Sequence, residues 1–307
     1  MAFVGSFSAD GKGNITGYGA DENDGGAMTN MGAFTGTYAV NALRGTVQFT
    51  INGNTYNYSI YPATRTELYM ISTDTLATHI PLLSGVVEQQ TGTFSAASLK
   101  GAGVLGLNGL ASLNKTLAPD VTLGLATGDG AGNITVAYDE YKGQLLSPQT
   151  FTGTYSVTAA SGRVAISSSG TPAVAYLLNT NEAFILGGDA SASSGLLEPQ
   201  SGTSFSNSSF KGSYLGGSLP LDGDAAMNEV DLAVPDGNGN LTLTYNNSGQ
   251  KGLATNQSTT GTYTVGSNGR TVVTAADGTT RIFYVVSPTQ VVLLSGEGGG
   301  YLGSLEQ

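Results

Sequence analysis

The chain has 307 residues and a formal charge of −11, from 22 Asp and Glu against 11 Lys and Arg. Phosphate backbones and anionic membrane surfaces both need clustered Lys and Arg, so neither nucleic acid nor direct membrane insertion is expected. Cys is absent, which excludes disulfides, thiolate metal centres and a Cys nucleophile.

Gly supplies 46 residues and charged residues only 11%, about twice the usual ~7% and less than half the usual ~25%. The apolar 39% is nevertheless regularly spaced, unlike a disordered composition. Short alternating runs between Gly, Asn, Asp and Pro predict an all-β chain. No apolar run reaches the ~18 residues of a membrane-spanning helix.

The opening residues Met1-Ala2-Phe3-Val4 already read as strand, as though the sequence began after processing or inside a longer chain. An Asp-Gly-x-Gly-Asn turn follows at 10–14, then an acidic loop at 21–33, the triplet Gly36-Thr37-Tyr38, Arg44 and a closing Glu88/Gln89. The same signs return twice in the same order. The turns recur at 129–133 and 236–240, the triplets at Gly153-Thr154-Tyr155 and Gly261-Thr262-Tyr263, the arginines at Arg163 and Arg270, and the closings at Glu198/Gln200 and Glu306/Gln307. A fixed period defines an array, here 1–91, 92–202 and 203–307, each long enough to bury a core.

The third copy predicts eight strands, at 210–219, 231–235, 240–245, 261–265, 270–275, 280–286, 290–295 and 301–305. Their connections are short, apart from loops between the third and fourth strands (21–33, 138–150 and 246–259). Such a meander closes into an eight-stranded up-and-down barrel, lipocalin- or avidin-like by analogy. A β-sandwich is the alternative, and it needs long Greek-key crossings. The opening strand, at 94–107 and 205–219 in the later units, has no counterpart in the first. Seven, eight and eight strands make 23, one short of three closed barrels.

That shortage leaves Phe3, Val4, Gly5, Ser6 and Phe7 as an edge without the Lys, Pro or bulge that usually blocks strand addition. Two expectations follow. Either the sequence is a fragment whose upstream residues were cut away, or another chain fills the edge and copies propagate head to tail.

The combined pattern also carries a resemblance. Phe-Ser-x-x-Ser-Leu/Phe-Lys-Gly at 94–101 and 205–212, followed by Asp-Gly-x-Gly-Asn, Phe-Thr-Gly-Thr-Tyr, Gly-Arg and Glu-x-Gln, resembles Gly/Thr-rich tandem β-repeats. These belong to large predicted secreted proteins of acidobacteria and related soil bacteria. The resemblance spans the whole chain and implies an extracellular repeat protein with no defined activity or catalytic residues.

Candidate chemistry is sparse. Asp10, Asn14, Asp21 and Asp24 offer hard oxygens for calcium, although their spacing fits neither an EF-hand nor a nonapeptide repeat; no other cofactor is expected. The recurring Arg and Glu either pair across a barrel or point to solvent, and their presence in every unit favours structure over chemistry. Lys100 and Lys211 are candidates for an isopeptide crosslink, against the ordinary reading of solvated lysines. His79 is the single His and has no recurring partner, so a Ser-His-Asp arrangement is not supported. Asp139 and Glu140 are the nearest carboxylate pair to a hydrolytic one, yet there is no Trp to stack on a sugar.

No enzyme is expected. Asn-x-Ser/Thr sequons at Asn14, Asn57, Asn133, Asn240 and Asn256 are no more than this composition gives by chance. The expected function is an extracellular or cell-surface structural repeat, a stalk or filament subunit whose partner is itself or a neighbouring repeat. The alternative is an adhesin-like module gripping a glycan or small molecule in a barrel or with its long loops, near Tyr18, Tyr138 and Tyr245.

Overall fold

The computed structural model describes residues 1–41, 43–75, 83–113, 115–146, 148–168, 172–219, 227–249, 252–276, 278–296 and 299–307. These residues form 23 strands and two single 3₁₀ turns. Unit one holds β1 (Ala2–Ala9), β2 (Asn14–Asp24), β3 (Ala27–Asn41), β4 (Arg44–Ile51), β5 (Asn54–Pro62), β6 (Glu67–Ser72) and β7 (Ser84–Glu88). Unit two holds β8 (Lys100–Leu113), β9 (Thr116–Asp129), β10 (Asn133–Lys142), β11 (Gln149–Thr158), β12 (Arg163–Ser168), β13 (Ala173–Asn179), β14 (Glu182–Gly187) and β15 (Ser194–Pro199). Unit three holds β16 (Tyr214–Ser218), β17 (Asn228–Pro235), β18 (Asn240–Gly249), β19 (Gly252–Val265), β20 (Arg270–Ala275), β21 (Thr280–Ser287), β22 (Gln290–Ser295) and β23 (Tyr301–Glu306).

Every strand pairing is antiparallel, and apart from the two closing pairs each joins strands consecutive in the chain. Units two and three close into eight-stranded barrels through β8–β15 and β16–β23, whereas unit one is an open sheet of seven strands. The meander barrel is therefore the fold, and the sandwich alternative falls away. Eight strands leave an interior that side chains can fill. In unit three it is filled by Phe210, Tyr214, Tyr263, Phe283, Leu293 and Tyr301, and in unit two by Leu105, Val136, Tyr155, Leu177 and Ile185. The concave face of unit one carries Ile15, Phe34, Phe49, Tyr58 and Ile60.

The recurring motifs each have a mechanical role. In the Asp-Gly-x-Gly-Asn turns the Asp carboxylate accepts two backbone N–H groups, at 2.7 and 3.0 Å in every copy. Both glycines take positive φ, as in Gly237 (80°) and Gly239 (113°), where a side chain would be strained. These bonds, led by the one from the Asn side chain, hold Asp129 and Asp236 down at about 2. In the Gly-Thr-Tyr triplets a Cβ on Gly36, Gly153 or Gly261 would lie 2.4, 2.4 or 2.7 Å from a carbonyl of the neighbouring strand. Glycine is what allows the strands this close.

The structure moves two sets of boundaries. Strand A does not begin at 94 or 210. A 3₁₀ turn comes first, Ala96–Ser98 in unit two and Asn207–Ser209 in unit three, and it carries Leu99 and Phe210 into the cores. The triplet tyrosine fastens this plug. Tyr155 Oη lies 2.8 and 3.0 Å from the carbonyls of Ala96 and Leu99, and Tyr263 Oη donates to Phe210 O at 2.7 Å while accepting Gly237 N–H at 2.8 Å. The long loops are also largely strand. β2 and β3 continue to Asp24 and Ala27, and β18 and β19 to Gly249 and Gly252. Their Thr, Ser and Asn residues pair backbone to backbone, as in Thr244 opposite Ser258, so polarity there marked solvent exposure rather than loop.

Removing the plug's fastening has a defined cost. Tyr263→Phe leaves the Gly237 N–H and the Phe210 carbonyl short of a partner and should lower stability by about 1–3 kcal/mol. Urea unfolding monitored by circular dichroism measures it, and an unchanged midpoint would deny the plug its structural role.

Candidate functional site

Two features stand out once the barrels are placed: a strand-shaped opening in unit one, and a clasp repeated between units. The opening lies between β1 and β7. Among the described residues β1 pairs only with β2 and β7 only with β6, so each presents its other backbone edge to the gap. The gap opens into a groove of about 1350 Å³ that runs on between the units as far as Leu219, Val292 and Leu302 of unit three. Phe7, Phe49, Tyr58 and Met70 line it from the half-barrel, and Tyr176, Phe184 and Leu196 from unit two. Two buried side-chain oxygens without a hydrogen-bond partner, Ser6 Oγ and Asn108 Oδ1, belong to residues on this groove.

The groove has a sign as well as a shape. Glu67, Glu88, Glu198 and Glu306 border it. Burial raises the Glu88 and Glu198 carboxyls above their usual range, with a further push from neighbouring glutamates. An incoming segment that carries a cation is favoured there.

The clasp joins each unit to the next. Arg163 of unit two reaches back to Asp21 of unit one with two bonds, Nε to Oδ2 at 2.6 Å and Nη2 to Oδ1 at 2.7 Å. Tyr176 Oη donates to the same carboxylate at 2.9 Å. Arg270 of unit three repeats the pair on Asp139 of unit two at 2.7 and 2.6 Å, with Tyr284 Oη 3.4 Å away. Both aspartates are buried, so the fork of the guanidinium satisfies charges that would otherwise be costly. A glutamine tightens the same joint. Gln90 donates to the carbonyls of Ser161 and Leu177, and Gln200 to those of Asn268 and Val285. Apolar packing completes the second joint, with Val104, Val121 and Leu123 against Ile282, Val286 and Leu294.

These contacts revise the reading of the recurring charges. Arg163 and Arg270 pair neither within a barrel nor with solvent, but with an Asp of the preceding unit. The closing of unit one is Glu88 with Gln90, not Gln89, which matches Glu198 with Gln200. A usable signal for the clasp was the Asp that falls seven residues after Asn14 and six after Asn133.

Unit three buries a separate polar group. Arg281 Nη1 lies 3.0 Å from Glu229 Oε1 and 3.3 Å from Asp231 Oδ1, and Tyr301 Oη donates to Glu229 at 2.6 Å. The Arg281 guanidinium also stands 5.2 Å over the Tyr245 ring. One cation between two buried carboxylates leaves Asp231 Oδ2 without a partner. Burial, with Glu229 beside it, pushes the Asp231 carboxyl up to about 8.

The four calcium candidates are not brought together. Asp10 and Asn14 serve the first turn and bond each other at 2.6 Å, Asp21 is committed to Arg163, and Asp24 ends β2 on the exposed side. Asn14 and Asp24 stand at opposite ends of an 11-residue strand, about 30 Å apart at 3.3 Å per residue. Among the described residues no cluster of three or more His, Asp or Glu could hold a metal ion. Asp139 and Glu140 point to opposite sides of β10, the first into the clasp and the second toward Asp120 and Lys142. Lys100 and Lys211 lay their stems over the turn glycines Gly130 and Gly237. Tyr138 packs on Phe151, and Tyr18 is exposed. His79 lies outside the described residues.

The fold and its joints define a tandem β-barrel protein with one barrel left open. Against family models, curated proteins and solved structures the chain finds no match.

Two measurements test this account. Asp139→Asn removes the charge that Arg270 grips and should destabilise the joint between units two and three by about 2–4 kcal/mol, since it strands a largely buried cation; denaturant unfolding that stays unchanged would show the clasp to be idle. Asp231 gives a pH dependence. Its folded pKa is raised, so folding is favoured at low pH and stability falls as pH climbs from the ordinary 3.8 towards about 8. Melting curves of Asp231→Asn should flatten over that window relative to the parent, and parallel slopes would contradict the assignment.

Proposed function

We propose that the chain is a non-enzymatic, extracellular structural protein in which unit one accepts a β-strand from another chain, joining copies into a surface stalk or filament. The observation that carries this reading is the opening between β1 and β7, which offers a strand contacts on four sides. Its two walls offer unpaired backbone edges, its inner side offers aromatic core, and its outer side offers the Phe184 and Leu196 surface of unit two. In unit two the equivalent place is taken by β8, paired on both sides with β9 and β15. Strand addition of this kind draws affinity from main-chain hydrogen bonds and specificity from alternate side chains.

The donor has the character of β8 itself: small residues alternating with apolar ones, and a Lys at its head, as at Lys100 and Lys211. That Lys suits the acidic rim. The extracellular setting rests on the Cys-free, weakly charged composition and on the resemblance to secreted repeats.

A synthetic peptide with the sequence of β8 (Lys100–Leu113) should bind the full chain with one-to-one stoichiometry by calorimetry. The same sequence fused through a flexible linker ahead of Met1 should occupy the opening and abolish peptide binding. Peptide binding that persists undiminished in the fused protein would rule out strand donation.

A further inference from the structure

We propose a second, separate contact: the chain stacks end to end on another copy of itself, the outer face of β16 and β17 in unit three seating on the outer face of β5 and β6 in unit one. The two joints inside the chain set the pattern. Each sets the outer face of a unit's early strands against the outer face of the following unit's β13–β14 or β21–β22 layer. An arrangement used twice in succession extends naturally to a third junction.

Unit three still carries the first half of such a joint. Val104 stands four residues after Lys100, and Leu215 four after Lys211; Leu123 and Leu125 precede Asp129 by six and four, and Val230 and Leu232 precede Asp236 by the same. In unit two these positions are covered by unit three, with Leu123 at 0% exposure. In unit three they are bare: Leu215 is 62% exposed, Val230 56% and Leu232 38%. Contiguous apolar residues of this kind on a surface mark an interaction face.

Unit one carries the second half. Tyr176 opposite Phe184 and Tyr284 opposite Val292 form the receiving faces of units two and three, and the same register sets Tyr61 opposite Tyr69. Tyr61 is 47% exposed, Tyr69 54% and Ile71 52%. Arg44 opens β4 as Arg163 opens β12 and Arg270 opens β20. The register Gly45 opposite Ile60 brings Tyr61 beside it. Both halves of one interface are thus exposed at opposite ends of the same molecule, and a second copy is the partner that supplies each half to the other. The contact is heterologous, so it propagates rather than closing into a dimer.

One element of the joint is changed. The clasp carboxylate lies opposite Val4 as Asp21 and opposite Leu123 as Asp139. The residue opposite Val230 is Asn246, an amide whose Oδ1 accepts the Asn256 N–H. Arg44 meanwhile donates to Ser59 Oγ at 2.8 Å and has no carboxylate partner among the described residues. The junction between copies therefore keeps the apolar contact but lacks the bidentate ion pair. It is weaker and more readily reversed than the joints within the chain.

The test is a gain of association. Sedimentation equilibrium of the full chain should show mass rising with concentration, and Asn246→Asp should tighten association about tenfold by giving Arg44 its carboxylate. Arg44→Gln placed on top of Asn246→Asp should return the affinity to the parent value, the signature of direct coupling. Leu232→Asp should weaken association about tenfold or more, because it sets a charge in an apolar contact. Circular dichroism and melting confirm that each variant is folded. Leu232→Asp should still bind the β8 peptide, which separates the stacking face from the strand opening. A chain that stays monomeric at every concentration with and without Asn246→Asp overturns the proposal and leaves the two faces to other partners. So does tightening by Asn246→Asp that Arg44→Gln fails to cancel.

Discussion

The constraint on which the whole molecule depends is that every strand of a meander needs a neighbour on both sides. Backbone N–H and C=O groups are obligatory hydrogen-bonding partners, and a closed barrel satisfies them without leaving an edge. Units two and three meet that demand from their own sequence by pairing β8 with β15 and β16 with β23. Unit one cannot. Its seven strands are identical in kind to the others, and the aromatic residues on its concave face are those of a barrel core. The difference between the closed barrels and the open sheet is a single strand.

The joints between units follow from a second economy. The outer wall of one barrel serves as packing surface for the next, so each unit buries apolar residues on both sides of its sheet. Buried polar groups then have to be paired across the joint. Asp21 and Asp139 would be expensive as lone charges, and the guanidinium fork with a tyrosine hydroxyl resolves each in a fixed geometry. The result is an array whose spacing and rotation are set by a directional contact rather than by hydrophobic area alone, which fixes no register.

Much of this was legible in the residues. The Asp-Gly-x-Gly-Asn turns, the Gly-Thr-Tyr triplets and the alternating runs determine a meander barrel, and counting strands exposes the missing one before any coordinates exist. What the sequence hid was whatever depends on two distant segments meeting. Asp21 looked like a ligand for calcium because its neighbours are acidic; its true partner, Arg163, is 142 residues away. The polar hairpin extensions were mistaken for loops because Thr and Ser suit a solvated strand as well as a turn. The 3₁₀ plug was misread as strand because Phe94 and Leu99, like Phe205 and Phe210, bracket a run of small residues that carries no helix signal.

The distance between Asp21 and Arg163 also bears on how the protein is made. A ribosome releases unit one before unit two, so the Asp21 carboxylate emerges before its partner exists. At ~5–20 residues per second, the 142 residues that separate them take on the order of ten seconds to synthesise. For that interval the carboxylate has only water to satisfy it. The arrival of unit two supplies Arg163 and Tyr176 to it and sets Phe184 and Leu196 against the groove, so each joint is fastened only as the later unit folds.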